Sequence, residues 1–570
     1  MAPQHTTPHP VAAPEPHGST GPDDLRARRA ARLLPLLVGL LATALYCSFS
    51  WSQWIRWEVP SWDDAIFTQL LCSYASGHGP VVDLKGHGFN LLGDHFHPLL
   101  ILLTPLYTLF PSALTLMLAQ DVLFGISAAV VTGCAVRALR PGAALAVGLA
   151  YALSFGLQNA VSVQFHEIAL AVPLLALSLT AWRERRVTAA TVWAAPVALV
   201  KEDLGVTVAM IGVLMLGRAA LPFVRRWWPV ARRRLAGFVA SYRRPALRCT
   251  AAARDATPAP AGGAGGVVVL DRAQWRSDLR TLRRTRELWC GAGLVLWGLL
   301  VTALAVGVVL PALNPAGEFA YADKLDLGGF VRDPAAAVVL LVVPAAKLVT
   351  WLLLLLAGAV VAVRSPIALV ALPTLAWRML SPNDGYWGPG WHYSAVLMPV
   401  VFVALVDALV RLRGDAARAR RRAVAGRPGG RASGWDAPVL GRLAAGAPWA
   451  ALVIALVLGT QQPLAQLATA QAWQPDPRAQ AKTAAVERIP RGASVATDLT
   501  LMNALVSRTD VQWIGNGEDP APEYVVVDRA GATWGGAPPT DVADYAREVY
   551  GHDYTVVSDE ANIAVARKTP

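Results

Sequence analysis

The sequence predicts a mainly α-helical, polytopic membrane protein of roughly eleven spans, followed by a small α/β domain at the C-terminal end. Three observations predict it. Of 570 residues, 54% are apolar and 16% charged, and the mean hydropathy is +0.41, too oily for a water-soluble globule. The charges fall in short Arg-rich blocks between apolar stretches, where orientation signals lie. From residue 464 onward the pattern changes to alternating apolar runs and short amphipathic segments with a net acidic balance. The overall charge of +12 therefore points to a bilayer, not to nucleic acid, as the partner.

Taken in order, residues 1–32 read as a cytoplasmic tail, disordered by its Pro/His/Ala composition and ending in Arg26, Arg28, Arg29 and Arg32. About 18 apolar residues follow, at about 33–50, without a convincing cleavage site, and read as an uncleaved first helix. With its start in the cytoplasm, the loop 51–98 lies outside. Leu99–Phe110, interrupted by Pro105, is too short to span and reads as interfacial. Spans are expected at about 112–136, 143–161, 168–182, 188–201 and 204–220, with Arg at the inward ends. An Arg-dense insert at 221–286 is then cytoplasmic. Further spans at about 288–312, 335–363, 366–380, 393–412 and 445–462 leave a basic cytoplasmic loop at 413–444.

The transmembrane domain thus covers 33–463 in a plasma membrane, and residues 464–570 lie on the extracytoplasmic side. There the pattern predicts strands at Ser494–Ala496, Tyr524–Val527 and Tyr554–Val557, with helices at Ala479–Arg488 and Val542–Tyr550. The five cysteines, Cys47, Cys72, Cys134, Cys249 and Cys290, give no external pair and no metal-ligand spacing.

Polar residues gather on the outer side. Asp63 and Asp64 open the run DDAIFTQLL, in which Ile66, Leu70 and Leu71 would face the bilayer surface. A carboxylate at such a helix start can act as a general base or hold a metal, and it can equally cap the helix. In GDHFHP, His95 and His97 stand at i and i+2, where they could hold a metal with Asp94 or anchor the loop at headgroup level. QFHE brings His166 and Glu167 to a helix start. Lys201, Glu202 and Asp203 interrupt an apolar region and suit either phosphate binding or mutual neutralisation. GYWGPGWH ends in Trp391 and His392, an aromatic platform for sugar rings or for the membrane interface. Lys347 and Arg378 fall inside expected spans and each needs a partner or a water-filled cavity.

The segments WDDAIFTQ, NLLGDHFHPLLILLTPLYTLFP, FHEIALAVPLLAL, LVKEDLG and HYSAVLMP, in that order and followed by VVVD at Val525–Asp528, resemble the DUF2079 family of bacterial predicted membrane proteins. That family is in turn similar to the GT-C superfamily of polytopic glycosyltransferases, which place a catalytic acid in the first external loop. The resemblance implies a GT-C-like membrane domain and transfer of a sugar from a polyprenyl-phosphate donor to a cell-envelope glycan or protein. Asp63 matches the acidic position of the family's D-L-G-like motif, whereas Asp64 and Ala65 depart from its Leu and Gly, which favours Asp63 as the base. His95, His166, Lys201, Glu202 and His392 match recurrent polar positions. The expected cofactor, if there is one, is a divalent cation. Two other classes fit the same composition: a transporter or flippase of lipid-linked substrates, and a non-catalytic assembly protein.

Overall fold

The structure, a computed structural model, describes residues 22–242, 272–322, 329, 332–424, 437–531 and 537–570. The expected tail up to residue 21, the Gly/Ala/Pro centre of the insert at 243–271 and the centre of the basic loop at 425–436 lie outside these. The first helix begins at Pro22, within the stretch expected to be disordered, and runs to Ile55.

Among the described residues, seven helices are long and apolar enough to cross a membrane: Leu33–Ile55, Ala113–Val136, Pro141–Ser162, Leu204–Arg232, Arg286–Leu313, His392–Arg421 and Ala437–Gly459. Pro98–Leu109, Val187–Leu199, Lys347–Ala357 and Pro366–Leu380 are apolar but shorter. Against the expected roughly eleven spans stand seven helices of spanning length together with these shorter apolar ones, and prolines account for much of the shortening. Proline lacks the N–H that a helix interior needs and its ring clashes with the preceding turn. At Pro196 and Pro366 the chain tightens into 3-10 turns. The single span expected at 335–363 is two pieces on either side of Pro344, Pro334–Leu340 and Lys347–Ala357. A helix of 13 residues such as Ala171–Arg183 covers only about 20 Å at about 1.5 Å per residue, less than the hydrocarbon layer. Broken ends are tolerable at such depth only where protein surrounds them, and this is where the polar residues collect.

Small residues let the long helices approach. A Cβ on Gly39 would lie 2.9 Å from the Gly125 carbonyl oxygen, and one on Gly212 would lie 2.5 Å from that of Gly291. The second crossing joins Leu204–Tyr242 to Arg286–Leu304 and fixes the turn just before residue 204. There Thr302 Oγ1 donates to the Glu202 carbonyl at 2.8 Å.

The C-terminal domain is a five-stranded sheet of β1 (Ser494–Thr497), β2 (Asp510–Trp513), β3 (Tyr524–Asp528), β4 (Tyr554–Glu560) and β5 (Ile563–Lys568), in the order β2-β1-β3-β5-β4. β1 is parallel to β2 and β3, while β5 is antiparallel to β3 and β4. The two expected helices stand at Ala479–Arg488 and Val542–Tyr550, whereas β2, β5 and the helix Leu499–Leu505 had no counterpart in the sequence reading. In parallel sheets of this kind ligands bind where the strand order reverses, here beyond β1 and β3. At the end of β3 Arg478 grips Asp528 through Nη1 and Nη2 at 2.5 and 3.0 Å.

The domain sits on the first loop. Asp476 N donates to the Ile55 carbonyl at 3.1 Å, and Lys482 lies 5.7 Å from the Trp57 ring centre. Gln69 Nε2 donates to the Val511 carbonyl at 2.9 Å, and Trp62 meets Trp513 edge to face at 5.7 Å.

Candidate active site

Helix Asp63–Ala75 starts without a side-chain cap, so its two acids are not spent on its own backbone N–H groups. The structure separates them. Asp63 keeps 34% of its side chain exposed and faces His166, with Oδ2 3.5 Å from Nε2. Asp64 is fully buried and turns the other way, accepting a hydrogen bond from Asn503 Nδ2 at 3.0 Å. Burial alone would raise the Asp63 carboxyl, but His166, Ser61 and Lys201 hold it well below the ordinary carboxylate range. Burial and the neighbouring charge of Asp63 push Asp64 well above that range. Of two adjacent acids, one is therefore a partly exposed carboxylate and the other a buried group whose carboxyl is pushed upward.

His166 is 2% exposed and tightly set. Its backbone N donates to Gln120 Oε1 at 3.2 Å, its Nδ1 lies 3.2 Å from the Gln164 carbonyl, and its ring stacks on His392 at 3.8 Å. Gln120 Nε2 also donates to the Gln164 carbonyl at 2.9 Å, which ties this bend to helix Ala113–Val136. Gln164 has a φ of 67°, a left-handed conformation that a non-glycine residue adopts only when its surroundings impose it.

Next to this pair lies a buried ionic cluster. Lys201 Nζ contacts Glu167 Oε1 at 2.5 Å, with 12% and 3% of the two side chains exposed. Glu202 accepts from His95 Nδ1 at 2.9 Å and from the Phe96 backbone at 3.0 Å. Burial would raise the Glu202 carboxyl, yet His95 and Lys201 bring it down to about 2. Asp203 accepts from Trp377 Nε1 at 2.9 Å, and burial with Glu202 beside it carries its carboxyl up to about 6. Trp377, Tyr386 and Tyr393 meet edge to face in all three pairings at 5.2–5.8 Å, forming an aromatic wall next to Asp203.

The expected His95/His97 pair does not form a common site. His95 stacks on Tyr321 at 4.7 Å and turns to Glu202, while His97 is fully buried against Phe67 at 5.6 Å. Burial lowers the His97 ring to about 4, so it stands neutral. Asp94 is held by Lys85 at 3.1 Å and by the Tyr321 hydroxyl at 3.1 Å. Among the described residues no three carboxylate, histidine or cysteine side chains converge as metal ligands. The donors fit a divalent cation poorly, since the acids of this cluster already face a cation, an imidazole or an indole N–H. Trp391 is 39% exposed beside the buried His392.

Lys347 and Arg378, the two cations expected inside spans, find carbonyl partners. Lys347 Nζ donates to the carbonyls of Leu340 at 2.8 Å and Met379 at 2.6 Å. Arg378 donates to those of Tyr386 at 2.9 Å and Gly388 at 3.0 Å, and to Ser394 Oγ at 3.2 Å. Arg378 thus braces the loop that leads to His392, and Lys347 Nζ lies 4.3 Å from the Trp387 ring centre of the same loop.

A family model described as predicted membrane protein, DUF2079, matches residues 59–565. The chain belongs to the DUF2079 family. Among solved structures, this DUF2079 protein is similar to ArnT from Cupriavidus metallidurans bound to undecaprenyl phosphate. The identity is 13%, with 93% of this chain and 97% of that one covered and a TM-score of 0.46. The apo structure of the same ArnT gives 14% identity, 95% and 98% coverage, and a TM-score of 0.44. No curated protein matches the DUF2079 chain.

Sequence reasoning missed Gln120, Gln164, Tyr321 and Asn503. The two glutamines carried a usable signal, an amide inside or beside an apolar run, which is costly unless it is bonded. Tyr321 and Asn503 carried none, because they meet the site only through the fold.

Proposed function

We propose that this DUF2079 protein is a membrane glycosyltransferase. It moves a sugar from a polyprenyl-phosphate donor to an acceptor hydroxyl on the extracytoplasmic side, with inversion at the anomeric carbon. The observation that carries this reading is the Asp63 carboxylate, ionised and 34% exposed, beside the buried His166 and a Lys201–Glu167 ion pair. The membrane spans supply the frame that a lipid-borne donor needs.

In the step itself the acceptor oxygen bonds to the anomeric carbon as the bond from that carbon to the phosphate oxygen breaks. The bonding electrons leave with the polyprenyl phosphate, and the acceptor proton goes to Asp63. A carboxylate held this acidic is a weak base, so it takes the proton late, once the hydroxyl has been acidified by bonding to an electron-poor carbon. Lys201 stabilises the charge growing on the phosphate, a preorganised cation that needs no reorganisation when the bond breaks. His392 stacks on His166 and so stands beside the proposed base. The C-terminal domain, resting on the first loop, holds the acceptor.

Purified protein in lipid vesicles, given labelled polyprenyl-phosphate sugars and a cell-envelope acceptor fraction, tests this. Acceptor labelling coupled to release of lipid phosphate is expected, and Asp63→Asn abolishes it at unchanged protein level. Near-normal product from that variant removes the base. Movement of the lipid without bond cleavage would instead make the protein a transporter.

A further inference from the structure

Among the described contacts, one side chain of the C-terminal domain bonds to both segments that carry the site. Asn503, on the helix Leu499–Leu505 and 5% exposed, spends its two amide hydrogens on two different partners. Nδ2 donates to Asp64 Oδ2 at 3.0 Å and to Gln164 Oε1 at 3.1 Å. The orientation of this amide follows from its neighbour. Gln164 Nε2 donates to the Glu58 carbonyl at 2.6 Å, so Gln164 can present only its oxygen to Asn503, and Asn503 must answer with its NH2.

Each partner is one or two positions from a residue of the site. Asp64 follows Asp63 in the first turn of its helix. Gln164 precedes His166 by two, and its carbonyl faces His166 Nδ1 at 3.2 Å while its left-handed backbone turns the chain there. Asn503 therefore joins the segment that carries the carboxylate to the segment that carries the imidazole, from a domain that otherwise touches neither Asp63 nor His166 in the contacts described above. Another docking bond of the same domain, His87 N to Asp519 Oδ1 at 2.8 Å, lies further along the loop, while Val511 and Trp513 meet Gln69 and Trp62 on the Asp63 side alone.

We infer that Asn503 is a positioning residue: by bridging Asp64 and Gln164 it sets the Asp63–His166 geometry, so the C-terminal domain governs the chemical step as well as acceptor binding. This rests on the transferase reading above for its kinetic arm only. A domain that is displaced or loosened would withdraw the bridge and let the two segments part.

The test compares Asn503→Asp, which keeps the shape and removes both donors, with Asn503→Ala and with the docking control Asp519→Ala, all in the full chain. In the transfer assay Asn503→Asp is expected to lower kcat roughly tenfold or more with the donor KM within about twofold of wild type, the signature of a lost transition-state arrangement. Asp519→Ala leaves both constants near wild type. Hydrogen–deuterium exchange supplies a readout independent of activity: peptides covering 164–170 exchange faster in both Asn503 variants and not in Asp519→Ala. If wild type transfers nothing, the transferase reading falls and the exchange result alone decides the coupling. An Asn503→Asp protein with wild-type kcat and wild-type exchange over 164–170 overturns the inference. So does faster exchange of the same size in Asp519→Ala, which would reduce Asn503 to one docking bond among several.

Discussion

Replacing Glu202 by Gln should destabilise the protein by about 3 kcal/mol at neutral pH, a figure that can be reached in two ways. The Glu202 carboxylate is 7% exposed and accepts two hydrogen bonds, from His95 Nδ1 at 2.9 Å and Phe96 N at 3.0 Å. Its carboxyl is held at about 2 against an ordinary 4.5. At about 1.4 kcal/mol per pH unit, that gap corresponds to roughly 3 kcal/mol. Independently, removing one partner of a buried ion pair costs about 3–5 kcal/mol, and Gln should sit at the low end because its carbonyl oxygen can still accept from Phe96. The sign follows from the depressed value. The contribution is fully present above pH 4.5 and is lost as pH falls through about 2. Thermal unfolding in detergent should show Glu202→Gln melting a few degrees below wild type at pH 7, with the difference shrinking as the solution is acidified. A variant that melts with wild type at pH 7, or a deficit that persists unchanged in acid, would refute the assignment of Glu202 as the charged partner of His95.

Three further outcomes follow from the same geometry. Glu167→Gln removes the anion at 2.5 Å from Lys201 and should lower the donor KM several-fold, measured in the vesicle assay, because the phosphate then meets an uncontested ammonium. Since His166 and Lys201 hold the Asp63 carboxyl below its ordinary range, the acid limb of kcat/KM should lie below the usual carboxylate value, and His166→Ala should move it upward. Arg478→Met strips the bidentate partner from the fully buried Asp528, which keeps Lys482 at 3.9 Å and the Ala530 N–H, and should destabilise the C-terminal domain by about 1–3 kcal/mol, seen as earlier cleavage of that domain in limited proteolysis.

Spans and sheet were legible in the sequence to different degrees, for physical reasons. A stretch such as Ala113–Val136 carries its burial in composition alone, so hydropathy finds it. The partial helices do not, because Lys347–Ala357 and Pro366–Leu380 are as apolar as true spans and differ only in where proline stops them. In the C-terminal domain the buried β3 shows as a continuous apolar run, whereas β2 spans only four residues and is defined by pairing with β1. The site was legible as a list of charges out of place at a membrane edge. Which of them meet was not. The family resemblance favours Asp63 as the base, but the residue pattern of DD does not itself say which acid faces His166 and which Asn503, and nothing in HFH says that one ring is bonded and the other entombed. Those outcomes depend on segments some 100 to 440 residues away.

The pairing of charges also constrains what a donor must do on arrival. Glu202 is matched by His95, Glu167 by Lys201 and Asp94 by Lys85, while Asp63 and Asp203, the latter facing only an indole N–H, have no such one-to-one cation and leave the site acidic at neutral pH. A phosphate entering here is repelled unless a cation can be shared, and a buried anion without a partner is prohibitively costly. Lysine suits that demand because its ammonium carries three N–H donors and Glu167 Oε1 occupies one, leaving two for phosphate oxygens without breaking the existing pair. Glu167 then acts as a counterweight: it keeps Lys201 in place and solvated by charge while the site is empty. Under the proposed transfer, as negative charge gathers on the leaving oxygens, their attraction to the ammonium already fixed by Glu167 would grow without reorganisation, so its stabilisation would be larger in the transition state than in the bound ground state. Under that proposal this difference, and not tight binding of the donor, would accelerate the step.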